Sequence, residues 1–341
     1  MLLEQVKYRA FILTAWISKQ YSEHVLNIYL IILYMSDTIK TITHDKMVWH
    51  NITRPNEKTV EFLSKKYKFH HLDLEDCLSK IQRPKIDEYE KYLFIVLHFP
   101  YYDKGSDSIK TDEINVFIGS SYVITLNPGN KVLGELFSKI KRSSKLKKKF
   151  LGSTSGYLLY HIIDKMFAAC FPLLDSLSSE IEDIESAVFE VETPKDMLKD
   201  ILSLKKDIIN FRRIIIPQRM IIPQLEHKNK KFLSENLDVY FDDVVDKVEK
   251  IYNNLETLSD IITTLNETNE SILSHNTNNI IKVLTIFSVI MLPLTFMTGF
   301  YGMNVVGLPL AEHPLATWII TGWMIMVALV MLIYFRYKRW M

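Results

Sequence analysis

From residue 234 onward, apolar side chains recur with a spacing of 4,3,4,3 at Leu237, Phe241, Val244, Val248, Ile251, Leu255, Leu258, Ile262 and Leu265. That is an unbroken heptad repeat, and no proline interrupts it before Pro293. The pattern predicts one helix from about Ser234 to about Phe300, ~100 Å long at 1.5 Å per residue. Such a helix cannot bury its stripe alone. It needs neighbours from its own chain or from copies of itself. Beyond Leu265 the seam turns polar, at Asn269 and Asn276 around Ile272. This predicts a wet axis rather than a dry coiled coil, with register specification by buried asparagine as the alternative.

Two apolar runs come next. Ile280 to Phe300 holds one formal charge, Lys282, and Leu315 to Phe335 holds none. Each has 21 residues, or ~31 Å as a helix, enough to cross a hydrocarbon core. One such run reads equally as a buried soluble helix; two in tandem read as membrane spans. Arg336, Lys338 and Arg339 follow the second run, whereas the loop 301–314 has Glu312 and no lysine or arginine. The positive residues predict cytoplasmic termini, an external loop and a place in the cell (inner) membrane. Trp318, Trp323 and Trp340 are expected interfacial anchors.

The upstream pattern is different. Residues 1–34 are read as an upstream extension or an N-terminal helix. Residues 35–150 predict a mixed α/β domain. "KMVWHNIT" (Lys46 to Thr53) is strand-like and Asn56 to Phe69 helix-like. "YLFIVLHF" (Tyr92 to Phe99) is a continuous apolar run of the buried-strand kind. "INVFIG" and "YVITLN" flank Ser120–Ser121 as a hairpin, and Asn127–Pro128–Gly129 is a turn. A helical hairpin is expected over 151–233. Its first helix runs from Gly156 to about Val191 with the acidic face Glu180, Glu182, Asp183 and Glu185. Thr193 and Pro194 open a second helix, which Pro217 and Pro223 end or kink.

Composition narrows the function. Among 341 residues, 41 are basic and 40 acidic, so no global charge argues for nucleic acid. The basic run "KIKRSSKLKKK" (139–149) has no interleaved aromatic and reads as a solvated helix face. Cys77 and Cys170 form no metal-ligand spacing or disulfide framework. No nucleophile triad, phosphate loop or metal-hydrolase motif is present, and no enzyme is expected.

"KVLTIFSVIMLPLTFMTGFYGMN" (Lys282 to Asn304) resembles the signature of the CorA family of divalent-cation transporters, with the hallmark at Tyr301, Gly302, Met303 and Asn304. "LPLT" (Leu292 to Thr295), "RYKRW" (Arg336 to Trp340), "HLDLEDCLSKIQRPKIDEYEKYLFIVLHF" (His71 to Phe99) and "VYFDDVVDKV" (Val239 to Val248) are similar to family segments in the same order. The resemblance covers about 46–341. It implies an α+β membrane protein: a funnel-shaped homopentamer with a cytoplasmic mixed α/β domain and a stalk helix that continues into the first of two C-terminal spans. The implied cargo is magnesium, with cobalt or nickel also accepted, and no organic cofactor.

By the same resemblance, Gly302, Met303 and Asn304 form the selectivity filter. Asn278, Ile281, Leu284, Ser288, Leu292 and Thr295 line the pore. Glu75 and Asp76 face a neighbour's Asp243, supported by Asp242 and Asp246, around regulatory magnesium that holds the closed state. Lys282, Arg336, Lys338 and Arg339 ring the inner mouth. The chain departs from common members at Leu292 and Ile281, where methionine is usual, at Val305, where phenylalanine is frequent, and in a loop whose sole carboxylate is Glu312. His313 is read as a loop histidine or a ligand for softer ions. Two other readings stay open: a zinc carrier of the same superfamily, and a membrane-tethered coiled-coil scaffold without a pore.

Overall fold

The computed structural model describes residues 38–79, 81–188, 194–227, 233, 237–305, 308–309 and 313–340. The two readings of 1–34, the cap at Thr193 and the carboxylate of Glu312 lie outside the described residues. The chain divides into two compact units, Met1–Glu190 with Lys199–Thr263, and Val191–Leu198 with Thr264–Met341.

In the first unit, strands β1 (Ile39–His44), β2 (Met47–Thr53), β3 (Lys85–Glu88), β4 (Leu93–Asp103), β5 (Ser108–Ile118) and β6 (Tyr122–Asn127) form one sheet in the order β1-β2-β6-β5-β4-β3. β2 and β6 run parallel, and the other neighbouring pairs antiparallel. The sheet is covered on both faces, which is why β4 reads as a continuous apolar run and not an alternating one. On one face Phe94, Val96, Phe117, Ile124 and Ile52 pack with Leu63 and Phe69 of the segment around helix α1 (Glu57–Tyr67), and with Leu74 of α2 (His71–Asp76). On the other, Trp49 meets Phe137 of α3 (Lys131–Arg142) edge to face at 4.8 Å, and Phe99 meets Phe167 at 5.0 Å.

The expected strand at 46–53, helix at 56–69, buried strand at 92–99 and hairpin of 114–127 are all present. Strands β1 and β3 fall outside the sequence expectations: "IKTITH" and "KIDE" lie at the sheet edges and carry few apolar residues. The basic run forms the largely exposed faces of α3 and α4 (Ser144–Leu151).

Two helical expectations are corrected. The helix from Gly156 is two helices, α5 (Ser155–Ala168) and α6 (Phe171–Val188). Pro172 has no N–H to continue the ladder, and the chain tightens at the junction, where Cys170 N donates to Phe167 O at 3.0 Å. The second helix does not end at Pro217. It continues as α7 (Pro194–His227) through Pro217 and Pro223. A proline inside a helix costs about 3 kcal/mol. Tertiary packing offsets this: Ile214, Ile215, Ile221, Ile222 and Leu225 are all buried around the breaks.

The side chain of Gln218 carries much of that anchorage. Its Nε2 donates to Ile214 O at 3.2 Å and to the carbonyl of His98, while its Oε1 accepts from His98 N at 3.3 Å. His98 lies two residues past the Lys85↔Val96 pair where β3 stops, so the amide takes the place of a missing ladder rung. Farther along, Asp207 accepts from Ile109 N at 2.9 Å. Gln218→Leu leaves these buried backbone groups unpaired and is expected to destabilise the unit by about 1–3 kcal/mol per orphaned group, read as a lower thermal midpoint.

His50 gives a pH dependence. Its Nδ1 lies 2.7 Å from Thr41 Oγ1 and its Nε2 2.8 Å from the Tyr67 hydroxyl. Burial, and then the nearby Lys66 ammonium, push its pKa from 6.5 down to about 4. The unfolded chain therefore binds this proton first as pH falls. The stability tied to neutral His50 is present above pH 6.5 and is lost progressively on descent toward pH 4. The thermal midpoint of the parent chain should fall across that window, and His50→Gln should flatten the slope.

Candidate functional site

Helix α8 (Asp238–Tyr301) has 64 residues and passes Pro293 unbroken. All nine heptad positions from Leu237 to Leu265 are buried. In the first unit the cover comes from the same chain. Phe241 packs on Tyr160 of α5. Arg219 of α7 pairs with Glu249 through two hydrogen bonds of 2.7 Å and stacks over Tyr252 at 3.9 Å. The stripe thus finds its neighbours within the protomer. In the second unit, Asn269 is buried with its Nδ2 unpartnered, Ile272 is half-buried and Asn276 exposed, so burial of the seam ends there.

Among the described residues, three helical stretches are long and apolar enough to cross a membrane. The most apolar 18-residue window within Ser155–Val188 is 44% buried in the fold, whereas those of α8 and of α9 (Ala316–Tyr337) are each 6% buried. The first spends its apolar surface on the core; the other two leave theirs bare. Trp318, Trp323 and Trp340 are exposed.

The expected pore residues sort onto one side of α8. At 100° per residue, Asn278, Ile281, Leu284, Ser288, Leu292 and Thr295 fall within an arc of roughly 120°, and all are exposed. Ile286 is buried, and Ile290, Pro293, Leu294 and Met297 are half-buried, on the opposite side. The Ser288 hydroxyl donates to Leu284 O at 2.9 Å, leaving its oxygen lone pairs outward. The side chains of Asn278, Thr295 and Asn304 have no hydrogen-bond partner among the described residues.

The helix closes at its motif. Gly302 N donates to Thr298 O at 3.0 Å and Met303 N to Phe300 O at 3.4 Å. A Cβ on Gly302 would stand 2.9 Å from Thr298 O, so close backbone approach requires glycine here. Asn304 follows, exposed. His313 Nδ1 accepts from Leu315 N at 3.2 Å, and its carbonyl accepts from Ala316 N at 2.9 Å. One ring nitrogen is therefore engaged in starting α9, in accord with a loop histidine. At the far end of the second unit, Lys282 Nζ donates to Arg339 O at 3.4 Å. This brings two of the four expected inner-ring residues together, with Arg336 and Lys338 exposed nearby in sequence.

The expected regulatory carboxylates are set by the packing of α2 and α8. Asp73 anchors α2 by accepting from Tyr92 at 2.8 Å and Tyr89 at 3.0 Å. Burial pushes its carboxyl pKa up, and those two hydrogen bonds oppose the rise. One turn on, Glu75 is exposed and Asp76 half-buried. Asp76 pairs with Lys85 at 2.8 Å, and Lys85 also reaches Asp87 at 2.6 Å. Burial works against the Lys85 ammonium, but its hydrogen bonds to Asp76 and Asp87 outweigh it and raise the pKa. Asp243 pairs with Lys247, which also holds Asp164 at 2.6 Å. Sequence reading missed both lysines, because the pairings Lys247–Asp164 and Lys85–Asp76 are visible only once the fold is built. Among the described residues no cluster of three His, Cys, Asp or Glu side chains that could hold a metal ion forms within the chain, Glu75, Asp76 and Asp243 included.

A family model described as "CorA-like Mg2+ transporter protein" matches residues 44–339. The chain is 30% identical over 295 residues to the cobalt/magnesium transport protein CorA of Thermotoga maritima, covering 86% of this chain and 83% of that one. It is 24% identical over 296 residues to the cobalt/magnesium transport protein CorA of Methanocaldococcus jannaschii, covering 86% and 92%. The solved complete structure of the CorA magnesium transporter from Methanocaldococcus jannaschii aligns with TM-score 0.78 and 24% identity, over 88% of this chain and 94% of that one. On the match along 44–339, this chain belongs to the CorA-like Mg2+ transporter family.

Proposed function

We propose that the chain is a magnesium transporter that conducts the hydrated ion along the axis of a homopentamer, with cobalt or nickel as further cargo. The names of two relatives, at 30% and 24% identity, support this cargo: both are cobalt/magnesium transport proteins. The observation that carries the reading is the exposed side of α8, followed just past its end by Asn304, which is unpartnered among the described residues. Copies of that side arranged about one axis bury Ile281, Leu284 and Leu292, which are 54%, 63% and 73% exposed in the single chain.

Magnesium gives up its waters reluctantly and prefers octahedral oxygen. A ring of Asn304 carbonyl oxygens accepts hydrogen bonds from those waters without stripping them. Gly302 lets the backbone close tightly so that the ring forms at the helix end, and Met303 packs beside it. Below, Thr295, Ser288 and Asn278 offer neutral oxygens between apolar rings at Leu292, Leu284 and Ile281, which gate by dewetting. In this reading α8 from Ile280 and α9 are the two spans, both termini are cytoplasmic, and Lys282, Arg336, Lys338 and Arg339 ring the inner mouth. Magnesium bridging Glu75 and Asp76 to a neighbour's Asp243 holds the closed state; without it the carboxylates repel and the interface loosens.

Purified protein in liposomes, loaded with an ion-sensitive dye, tests this. Saturable magnesium influx is expected. Absence of any divalent flux from well-folded protein would sink the reading, and zinc flux well above magnesium would reassign the cargo.

A further inference from the structure

A cavity of about 790 Å³ opens in the first unit between α7, the loop before β3, and strands β4 and β5. Its charged lining is cationic, with Arg83, Lys110 and Arg213, and no Asp or Glu lines it among the described residues. Lys110 is tied to Asp103. Arg83 and Arg213 have no hydrogen-bond or ion-pair partner among the described residues. A further buried group faces the same space. His98 is 8% exposed and its Nε2 has no hydrogen-bond partner, the nearest carboxylate oxygen being Glu113 Oε2 at 3.7 Å. Both oxygens of that carboxylate already accept hydrogen bonds, from Asn115 Nδ2 at 2.8 Å and Gln82 N at 2.5 Å. The rest of the wall mixes polar Gln82, Thr111 and Asn210 with apolar and aromatic side chains such as Ile81, Ile109, Ile214 and Tyr101.

We propose that this cavity binds a nucleoside polyphosphate. Two unpaired guanidinium groups suit bidentate grips on phosphate oxygens. The volume lies in the range of small-molecule sites, about 300–1,000 Å³, and exceeds what one phosphate needs. Tyr101 and the isoleucine wall suit a flat ring, and buried His98 lies behind that wall. Every residue of the site lies outside the conduction elements, so binding stands independently of the transport reading.

Calorimetry on the full-length chain in detergent, with EDTA present, tests the site with ATP, adenosine and inorganic phosphate. Saturable ATP binding is expected, with adenosine and phosphate each at least tenfold weaker. Arg83→Gln and Arg213→Gln should each weaken ATP at least tenfold, with thermal midpoints unchanged because both side chains are exposed. Arg213→Lys keeps the charge and loses the fork, and should also weaken ATP. No saturable ATP heat, or unchanged affinity in the double glutamine variant, overturns the site. Phosphate binding as tightly as ATP overturns the nucleotide assignment. Magnesium flux measured on the same preparation tells failure here apart from failure of conduction.

Discussion

In liposomes, Asn304→Ala is expected to cut magnesium influx at least hundredfold. Among the described residues its side chain makes no contact that holds the fold: it is exposed, its amide is unpartnered, and the helix has already closed at Gly302. Its loss therefore removes ligand oxygens without disturbing the fold. Each copy gives up one hydrogen bond to a water of the ion, worth about 0.5–1.5 kcal/mol net. In the proposed pentamer, five copies forfeit several kcal/mol of barrier lowering, at about 1.4 kcal/mol per tenfold in rate. Asn304→Asp is the sharper comparison. A carboxylate ring binds the ion more tightly and releases it slowly, so influx should fall while the ion concentration for half-saturation also falls. Gly302→Ala should reduce flux with no ligand removed, since its Cβ meets Thr298 O at 2.9 Å. Unchanged flux in Asn304→Ala, with normal assembly on a sizing column, would remove this asparagine from the ion path.

The long elements were legible because their periodicity is physical. The heptad stripe had to be buried by something, and Phe241, Val244, Ile251, Leu255 and Ile262 are fully covered. What the stripe did not reveal was which helices cover it. Arg219 on Glu249 and Tyr160 on Phe241 pair residues far apart in the chain, and no local pattern encodes such pairs. The prolines misled for a related reason. Pro217 breaks a helix by local rules, yet Gln218 and the buried isoleucines hold the backbone helical through tertiary contacts. Edge strands β1 and β3 were illegible because their side chains are half polar. In the candidate site, Gly302 and Asn304 were legible from the motif and its place between two apolar runs. The lysines beside the acidic residues were not. An acidic pair such as Glu75–Asp76 reads as bare carboxylate until the fold brings Lys85 to it.

Those lysines set the second large effect: Lys247→Met should lower the internal magnesium concentration that half-closes the channel by about tenfold. In the single chain Asp243 is neutralised by Lys247, which Asp164 holds in place at 2.6 Å, and Asp76 is neutralised by Lys85 at 2.8 Å. In the proposed closed state, a divalent ion between Glu75, Asp76 and a neighbour's Asp243 competes with both ammonium groups. Partly exposed pairs of this kind contribute about 0.2–1 kcal/mol each. A divalent ion feels the removal of a nearby positive charge twice over, which brings the expected gain to about 1.4 kcal/mol, or tenfold. Lys85→Met should act in the same direction, and more weakly, because Asp87 shares that ammonium. Asp243→Asn should shift closure the opposite way, to higher magnesium. The readout is flux from liposomes preloaded with graded magnesium, paired with protection of the chain from protease over the same range. If Lys247→Met leaves the closing concentration unchanged while Asp243→Asn raises it, the ion bypasses the lysine, and Asp243 turns from Lys247 to the interface when copies assemble. If neither variant shifts closure, regulatory magnesium does not sit on Asp243.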